Sequence, residues 1–109
     1  MIVDFEKINE ETLTNFKGGL GELLTRNYID SDNKIMLSRL MPGASSGFHV
    51  HEGNSEIVYI LNGTARFVYD DQEEVVNKGE VHYCPNGHGH AMHNDTQDEI
   101  TYLAIVSQH

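Results

Sequence analysis

Short runs of β-branched and aromatic residues alternate with turn-forming residues along most of the chain, a pattern typical of an all-β protein. None of these runs has the length or the 3.6-residue period of a main helix. Asn62-Gly63 is the most specific turn signal, because these residues supply the positive φ of a type I′ turn, and it predicts a hairpin between its flanking strands. The predicted strands are residues 22–29, 34–40, 47–51, 56–61, 64–69, 72–76, 81–84, 89–93 and 99–106.

Nine short strands in 109 residues predict a small sandwich or a closed jelly-roll barrel. Residues 9–16 begin with Asn, Glu and Glu, which can cap and charge the first turn of a helix. This segment is therefore expected to be either one short helix or irregular. The chain shows no internal repeat, low-complexity tract or linker, so residues 1–109 are expected to form a single domain.

The charge balance narrows the classes of partner. The chain has 17 acidic and 7 basic residues, a formal net charge of -10, which repels phosphate backbones and anionic lipids. Neither nucleic acid nor a membrane is therefore expected as a partner. No apolar run approaches the roughly 20 residues that span a bilayer, and the N-terminus is acidic where a secretory signal is basic. Cys84, the single cysteine, fits a reducing compartment and is expected to be a small buried residue. The expected location is the cytoplasm.

Histidine is the unusual entry in the composition, since six of seven histidines fall in two short windows. His49 and His51 are two residues apart, so in a strand both side chains point to one face, roughly 6.6 Å apart. Glu56 follows after a short loop as a third candidate ligand. Imidazole and carboxylate together suit borderline first-row metals, which makes this a candidate metal site. The alternative is a buried polar cluster satisfied by hydrogen bonds.

Two spaced motifs add to this cluster. In the first motif, five residues separate Gly43 from His49, one separates His49 from His51, four precede Glu56 and six precede Gly63. In the second, five residues separate Gly79 from Pro85, one precedes Gly87, two precede His90 and three precede Asn94. Both motifs resemble those of the cupin family, and the resemblance covers residues 43–94. Glu80 departs from the family, which more often has aspartate there, and is expected to affect a turn hydrogen bond. The motif residues are Gly43, His49, His51, Glu56 and Gly63 (residues 43–63), then Gly79, Pro85, Gly87, His90 and Asn94 (residues 79–94).

The resemblance implies a double-stranded β-helix, a jelly-roll barrel with a short N-terminal extension here. Inside it, His49, His51, Glu56 and His90 would bind one divalent transition metal, most often manganese or iron, with nickel, cobalt, copper or zinc also found. The implied function is a metal-dependent enzyme, either a dioxygenase or an isomerase or lyase, acting on a small oxygenated metabolite. The alternative is a non-catalytic cupin that binds or senses a small ligand. A decarboxylase of the oxalate type ranks low, because such cupins usually have a lid glutamate and a longer chain.

Several residues outside the motifs carry weaker expectations. His82, His88 and His93 have no family position and are predicted to be rim, turn or surface residues. One tyrosine is expected to point its hydroxyl into the cavity, with Tyr59, Tyr69, Tyr83 and Tyr102 left open as candidates.

Residues 57–61 are apolar throughout. If Glu56, Val58 and Ile60 face inward, then Ile57, Tyr59 and Leu61 need cover from the other side. Because cupins commonly dimerise through their sheets, we expect a homodimer.

Overall fold

The computed structural model describes residues 1–109, which form ten strands and two short 3-10 helices, Phe5–Lys7 and Phe16–Gly18. No helix has the length and apolar character needed to cross a membrane. All strand pairs are antiparallel. The strands are β1 (Glu11–Thr14), β2 (Glu22–Ile29), β3 (Asn33–Leu40), β4 (His49–Val50), β5 (Asn54–Asn62), β6 (Thr64–Tyr69), β7 (Gln72–Asn77), β8 (Val81–Cys84), β9 (Gly89–His93) and β10 (Ile100–Gln108).

Two sheets make up the barrel. The first has the strand order β1-β2-β3-β10-β5-β8 and the second the order β4-β9-β6-β7. Apolar side chains of both sheets form one core, so the expected all-β jelly roll is confirmed. Four predicted strands, 22–29, 64–69, 81–84 and 89–93, have the predicted bounds, and the other five differ by one or two residues at an end.

The hairpin predicted at Asn62-Gly63 is wrong. β5 pairs with β10 and β8 in the first sheet, whereas β6 pairs with β7 and β9 in the second. Of the two residues only Gly63 has a positive φ, 97°. A Cβ on Gly63 would lie 3.2 Å from the side chain of Ile100. The dipeptide is therefore a corner at which the chain passes from one sheet to the other, close against β10.

Residues 9–16 form neither of the expected structures. Within this segment β1 pairs with β2, and Leu13 stands opposite Leu23 in the register. Leu13 also packs against the core, while the β-branched Thr12 and Thr14 flank it. Pairing with the edge of the first sheet thus outweighs a weak helix signal.

The turn after β1 is held against the segment before β4. The backbone N–H of Gly47 donates to the carbonyl of Phe16 at 2.9 Å. A Cβ on Gly47 would lie 1.8 Å from the carbonyl oxygen of Lys17, so the two segments touch only because this residue is glycine. Lys17 has the left-handed backbone conformation, with a φ of 55°. This contact places the lysine beside the strand that carries His49.

The side chains that face inward from the first sheet are apolar at one end of the barrel and polar at the other. At one end Leu40, Ile60 and Ile100 are fully buried in the core. Toward the other end the inward positions become Ser38 on β3 and Glu56 on β5, and the walls enclose a cavity there. The barrel is therefore packed at one end and hollow at the other. The hollow end holds the candidate site.

The start of the first motif and the end of the second meet in the fold. The N–H of Gly43 donates to the Asn94 carbonyl, and the N–H of Asn94 donates to the Ala44 carbonyl, each at 2.9 Å. The buried amide of Asn94 donates to the carbonyls of Leu40 and Asp98 at 2.9 and 2.8 Å. These bonds give Asn94 a structural role. They join the two segments that carry the candidate ligands.

Candidate metal centre

Four side chains converge at the hollow end of the barrel. His49 lies in β4, His51 directly follows that strand, Glu56 lies in β5 and His90 in β9. His49 and His90 stand opposite each other in the β4–β9 register. One ligating atom from each of the four residues lies within 4.8 Å of the others. The structure thus brings together all four side chains that the sequence marks as candidate ligands.

The distances within this cluster suit an octahedral ion. His51 Nε2 lies 3.1 Å from Glu56 Oε1 and 3.1 Å from His90 Nε2, and the latter is 2.9 Å from Glu56 Oε1. Octahedral bonds of about 2.1 Å separate neighbouring ligand atoms by about 3.0 Å, whereas a tetrahedral site separates them by about 3.4 Å. The three imidazole rings meet at 64–72° to one another. This donor set fits a first-row divalent metal.

Two of the candidate ligand histidines are oriented by acceptors that face their Nδ1 atoms. The Nδ1 atom of His49 lies 2.8 Å from the carbonyl oxygen of Gly47, and that of His51 lies 2.5 Å from Asn54 Oδ1. An Nδ1–H that donates to each oxygen leaves the lone pair on Nε2, which is the atom facing the cluster. Asn54 was not identified from the sequence. It sits three residues after His51, where a short loop allows the contact.

His90, the third candidate ligand histidine, contacts a residue that the structure places differently from the prediction. His82, expected at the rim, a turn or the surface, is only 1% exposed, and its Nε2 lies 2.9 Å from His90 Nδ1. Its Nδ1 lies 2.5 Å from Glu74 Oε1, and its ring stacks on Phe67. Exposed and buried residues alternate along β8. Because Cys84 was expected to be buried, this alternation was the sequence signal that places His82 inside.

Burial and hydrogen bonding act against each other on the ligands. Burial opposes ionisation of Glu56, but without a bound cation hydrogen bonds from the Nε2 atoms of His51 and His90 outweigh it and lower the pKa of this carboxyl to about 2. A bound cation would take the place of those protons and meet the Nε2 lone pairs instead. The same contact with Glu56 raises the pKa of His51, against the effect of burial. Burial lowers the pKa of His49 and also that of His82. The carboxylate is therefore ionised at neutral pH and contributes a negative charge to the cluster.

A cavity of about 280 Å³ opens beside this cluster. Its wall includes a polar row of Thr25, Ser38 and Tyr102, which are neighbours across β2, β3 and β10. The hydroxyls of Thr25 and Ser38 lie 2.8 Å apart. Of the four candidate tyrosines, Tyr102 is the one that lines this cavity, and burial raises its pKa far above the usual range.

The charges around the cavity contrast with those of the whole chain. Lys17 and Lys34 line it, and Glu56 is the only carboxylate that does. The positive charge of Lys17 opposes protonation of His51, which lines the same cavity. A chain with a net charge of -10 thus has two of its four lysines at this cavity.

The remaining predicted positions lie outside the cluster. His88 is a surface residue as expected, with its Nδ1 2.6 Å from Asp70 Oδ2. His93 ends β9 and is half-buried. Cys84 is fully buried as expected, and burial raises the pKa of its thiol to about 11. Glu80 accepts the N–H of Asn77 at 2.8 Å, so the one departure from the family pattern does form a turn hydrogen bond.

Known proteins of similar sequence and structure agree on the family. The cupin domain family model matches residues 36–106. The oxalate-binding protein of Thermotoga maritima is 31% identical over 112 residues, covering 97% of this chain and 93% of that protein. The crystal structure of a predicted oxalate decarboxylase from Thermotoga maritima has a TM-score of 0.92 and 28% identity, with 100% of both chains covered.

A further match is partial. An uncharacterized HTH-type transcriptional regulator of Escherichia coli is 33% identical over 60 residues, covering 55% of this chain and 20% of the regulator. The family model spans more than half of the chain, and the two spaced motifs, the jelly-roll topology and the His₃–Glu cluster are consistent with it. This chain therefore belongs to the cupin family.

Proposed function

We propose that this cupin binds one divalent transition metal ion through His49, His51, Glu56 and His90, and that the ion anchors a small dicarboxylate anion such as oxalate. The donor atoms suit manganese or iron best, with nickel, cobalt, copper and zinc as alternatives. With three neutral imidazoles and one carboxylate, a bound divalent ion supplies net positive charge and open positions for an anionic oxygen.

The charge distribution of the cavity carries the proposal. Its only carboxylate, Glu56, is one of the four ligands, whereas Lys17 and Lys34 supply two further positive charges to the wall. A ligand there meets cations and the hydroxyls of Thr25 and Ser38. The cavity volume of about 280 Å³ lies at the small end for ligand pockets, roughly 300–1,000 Å³, which favours a small metabolite.

The relatives support the same ligand class. The Thermotoga maritima protein that covers 97% of this chain is named an oxalate-binding protein. A dicarboxylate has two anionic ends, so one can meet the metal and the other a lysine ammonium group. Lys17 supports this arrangement, because it lines the cavity and its turn is held against Gly47, close to His49.

The lining of the cavity favours binding of the anion without its chemical conversion. Acid–base chemistry needs a positioned group besides the metal ligands. The cavity wall contains no carboxylate besides Glu56, and burial raises the pKa of Tyr102, so the wall supplies neither a free carboxylate nor a phenolate as a general base. The dioxygenase and the isomerase or lyase expected from the family remain predictions, to be tested by oxygen consumption and by product analysis with keto acids, diketones and unsaturated uronates.

Calorimetry on metal-free and metal-loaded protein tests the proposal. Oxalate should bind the metal-loaded protein saturably and at one site per chain, and chelator treatment should abolish binding. Acetate, which has a single carboxylate, should bind more weakly. Equal oxalate binding with and without metal, or no binding at all, would show the proposal to be wrong.

Lysine variants test the charge argument. Lys17→Gln should weaken oxalate binding about 10-fold or more, the loss typical of a hydrogen bond to a charged group, while metal content stays unchanged. Lys78→Gln removes the same charge outside the cavity lining and serves as the matched control. If both variants bind oxalate equally well, Lys17 does not contact the ligand.

We also infer a homodimer that covers the outer face of β5 and β8. Ile57 stands opposite Tyr83 in the register, and Tyr59 stands opposite Val81. All four side chains are exposed, at 38–56%, and β8 is an unpaired edge of the sheet. Contiguous apolar patches of this kind mark interaction sites. Light scattering at micromolar concentration should give twice the chain mass, Tyr83→Lys should halve it, and a wild-type monomer would refute the inference.

A further inference from the structure

A row of three hydrogen-bonded residues runs outward from the candidate metal centre, from β9 in the second sheet to β8 at the edge of the first and then to β7 at the edge of the second. It begins at His90, continues through His82 and ends at Glu74 on β7. His82 is buried within the barrel wall, whereas the Glu74 side chain is 45% exposed. The row therefore reaches solvent at β7, the edge strand of the second sheet, and no residue of β7 lines the cavity.

The chemistry of the three groups determines which atom donates and which accepts each hydrogen bond in this row. A carboxylate accepts hydrogen bonds and does not donate them, so Glu74 accepts from Nδ1–H of His82. A neutral His82 then has only a lone pair on Nε2, which accepts from Nδ1–H of His90 at 2.9 Å. That leaves the lone pair of His90 on Nε2, the atom that faces Glu56 and His51. The opposite direction would place a proton on the ligating atom.

The three histidines among the candidate ligands differ in the group that their Nδ1 atoms face. The Nδ1 atoms of His49 and His51 face a backbone carbonyl and an asparagine side chain, respectively. Only the His90 branch ends on a carboxylate. Acceptors behind a metal-bound imidazole fix its tautomer and ring orientation and raise its basicity, and their loss typically costs 10–100-fold in metal affinity.

Packing holds the middle residue in place. The His82 ring stacks on Phe67 with centroids 3.8 Å apart and planes 15° apart, and it lies parallel to the His90 ring to within 19°. Tyr69 meets His82 edge-on. Little room remains for His82 to rotate or to be replaced by water, so its acceptor atom stays aimed at His90.

We propose that His82 and Glu74 are positioning residues for the metal centre, which hold His90 in its ligating tautomer and strengthen it as a donor. The inference rests on the metal site of the proposed function and adds two residues to it. Neither residue is one of the ten defined positions of the two cupin motifs.

Four variants test this by affinity for Mn²⁺ and Zn²⁺, measured in competition with a fluorescent chelator. His82→Phe keeps the stacked ring but removes the acceptor and should weaken binding about 10–100-fold. His82→Gln returns an acceptor at the same distance from the backbone and should recover most of that loss. Glu74→Gln should weaken binding several-fold. Glu73→Gln removes the same charge one residue earlier, where the carboxylate pairs with Arg66, and should have no effect.

Histidine ¹⁵N NMR of the zinc-loaded wild type supplies a readout that loss of packing alone would not change. His82 should carry its proton on Nδ1 and none on Nε2, and a proton on Nε2 would overturn the inference. Unfolding curves with chelator present check that each variant folds. Wild-type metal binding with unchanged affinity in His82→Phe and Glu74→Gln would refute only this inference, whereas a wild type that binds no metal would refute the proposed function as well.

Discussion

Replacing Glu56 by glutamine is the sharpest test of the metal centre. The substitution keeps an oxygen near the same place but removes the only negative charge among the four candidate ligands. The pKa of this carboxyl falls from 4.5 to about 2, so its imidazole neighbours stabilise the ionised form by about 3 kcal/mol despite burial. A divalent cation among the same atoms should favour the carboxylate at least as strongly.

This estimate translates into affinity. Since each 1.4 kcal/mol is tenfold, Glu56→Gln should weaken metal binding by at least about 100-fold. The assay is competition against a chromogenic chelator at pH 7.5, with circular dichroism to confirm folding. Glu52→Gln is the matched control, because it removes the same charge from an exposed residue four positions away. Affinities within threefold of wild type for both variants would refute the assignment of Glu56 as a ligand.

Three further predictions concern pH, the thiol and the N-terminal turn. Metal occupancy should fall as pH decreases from 7.5 to 5, because protons compete with the metal for the imidazole lone pairs while Glu56 stays ionised to about pH 2. Unchanged occupancy at pH 5 would contradict histidine ligation. Cys84 should react with thiol reagents at pH 8 only after unfolding, since it is fully buried with a pKa of about 11. Gly47→Ala should lower the free energy of unfolding by about 1–3 kcal/mol, because the alanine Cβ would overlap the Lys17 carbonyl. Urea denaturation measures this change, and unchanged stability would contradict the contact.

Two of the three predictions that were wrong have a tertiary cause, and the third does not. Asn62-Gly63 has the composition of a hairpin turn, yet its flanking strands belong to different sheets because each finds other partners. Glu11–Thr14 carries a weak helix signal, but pairing with β2 makes it a strand. His82 was assigned to the rim because no family position includes it, although alternation along β8 places it inside.

The sequence by itself determined the strand pattern, the two motifs and the four candidate ligands, because alternation, turn residues and ligand spacing are local properties of the chain. Only the tertiary structure decided what surrounds those ligands. Asn54 reaches them through a short loop, Lys17 through the glycine contact of its turn, and Glu74 through His82 on the other sheet. The contacts of Lys17 and Glu74 depend on how separate elements pack against each other, and this packing leaves no periodic pattern in the sequence.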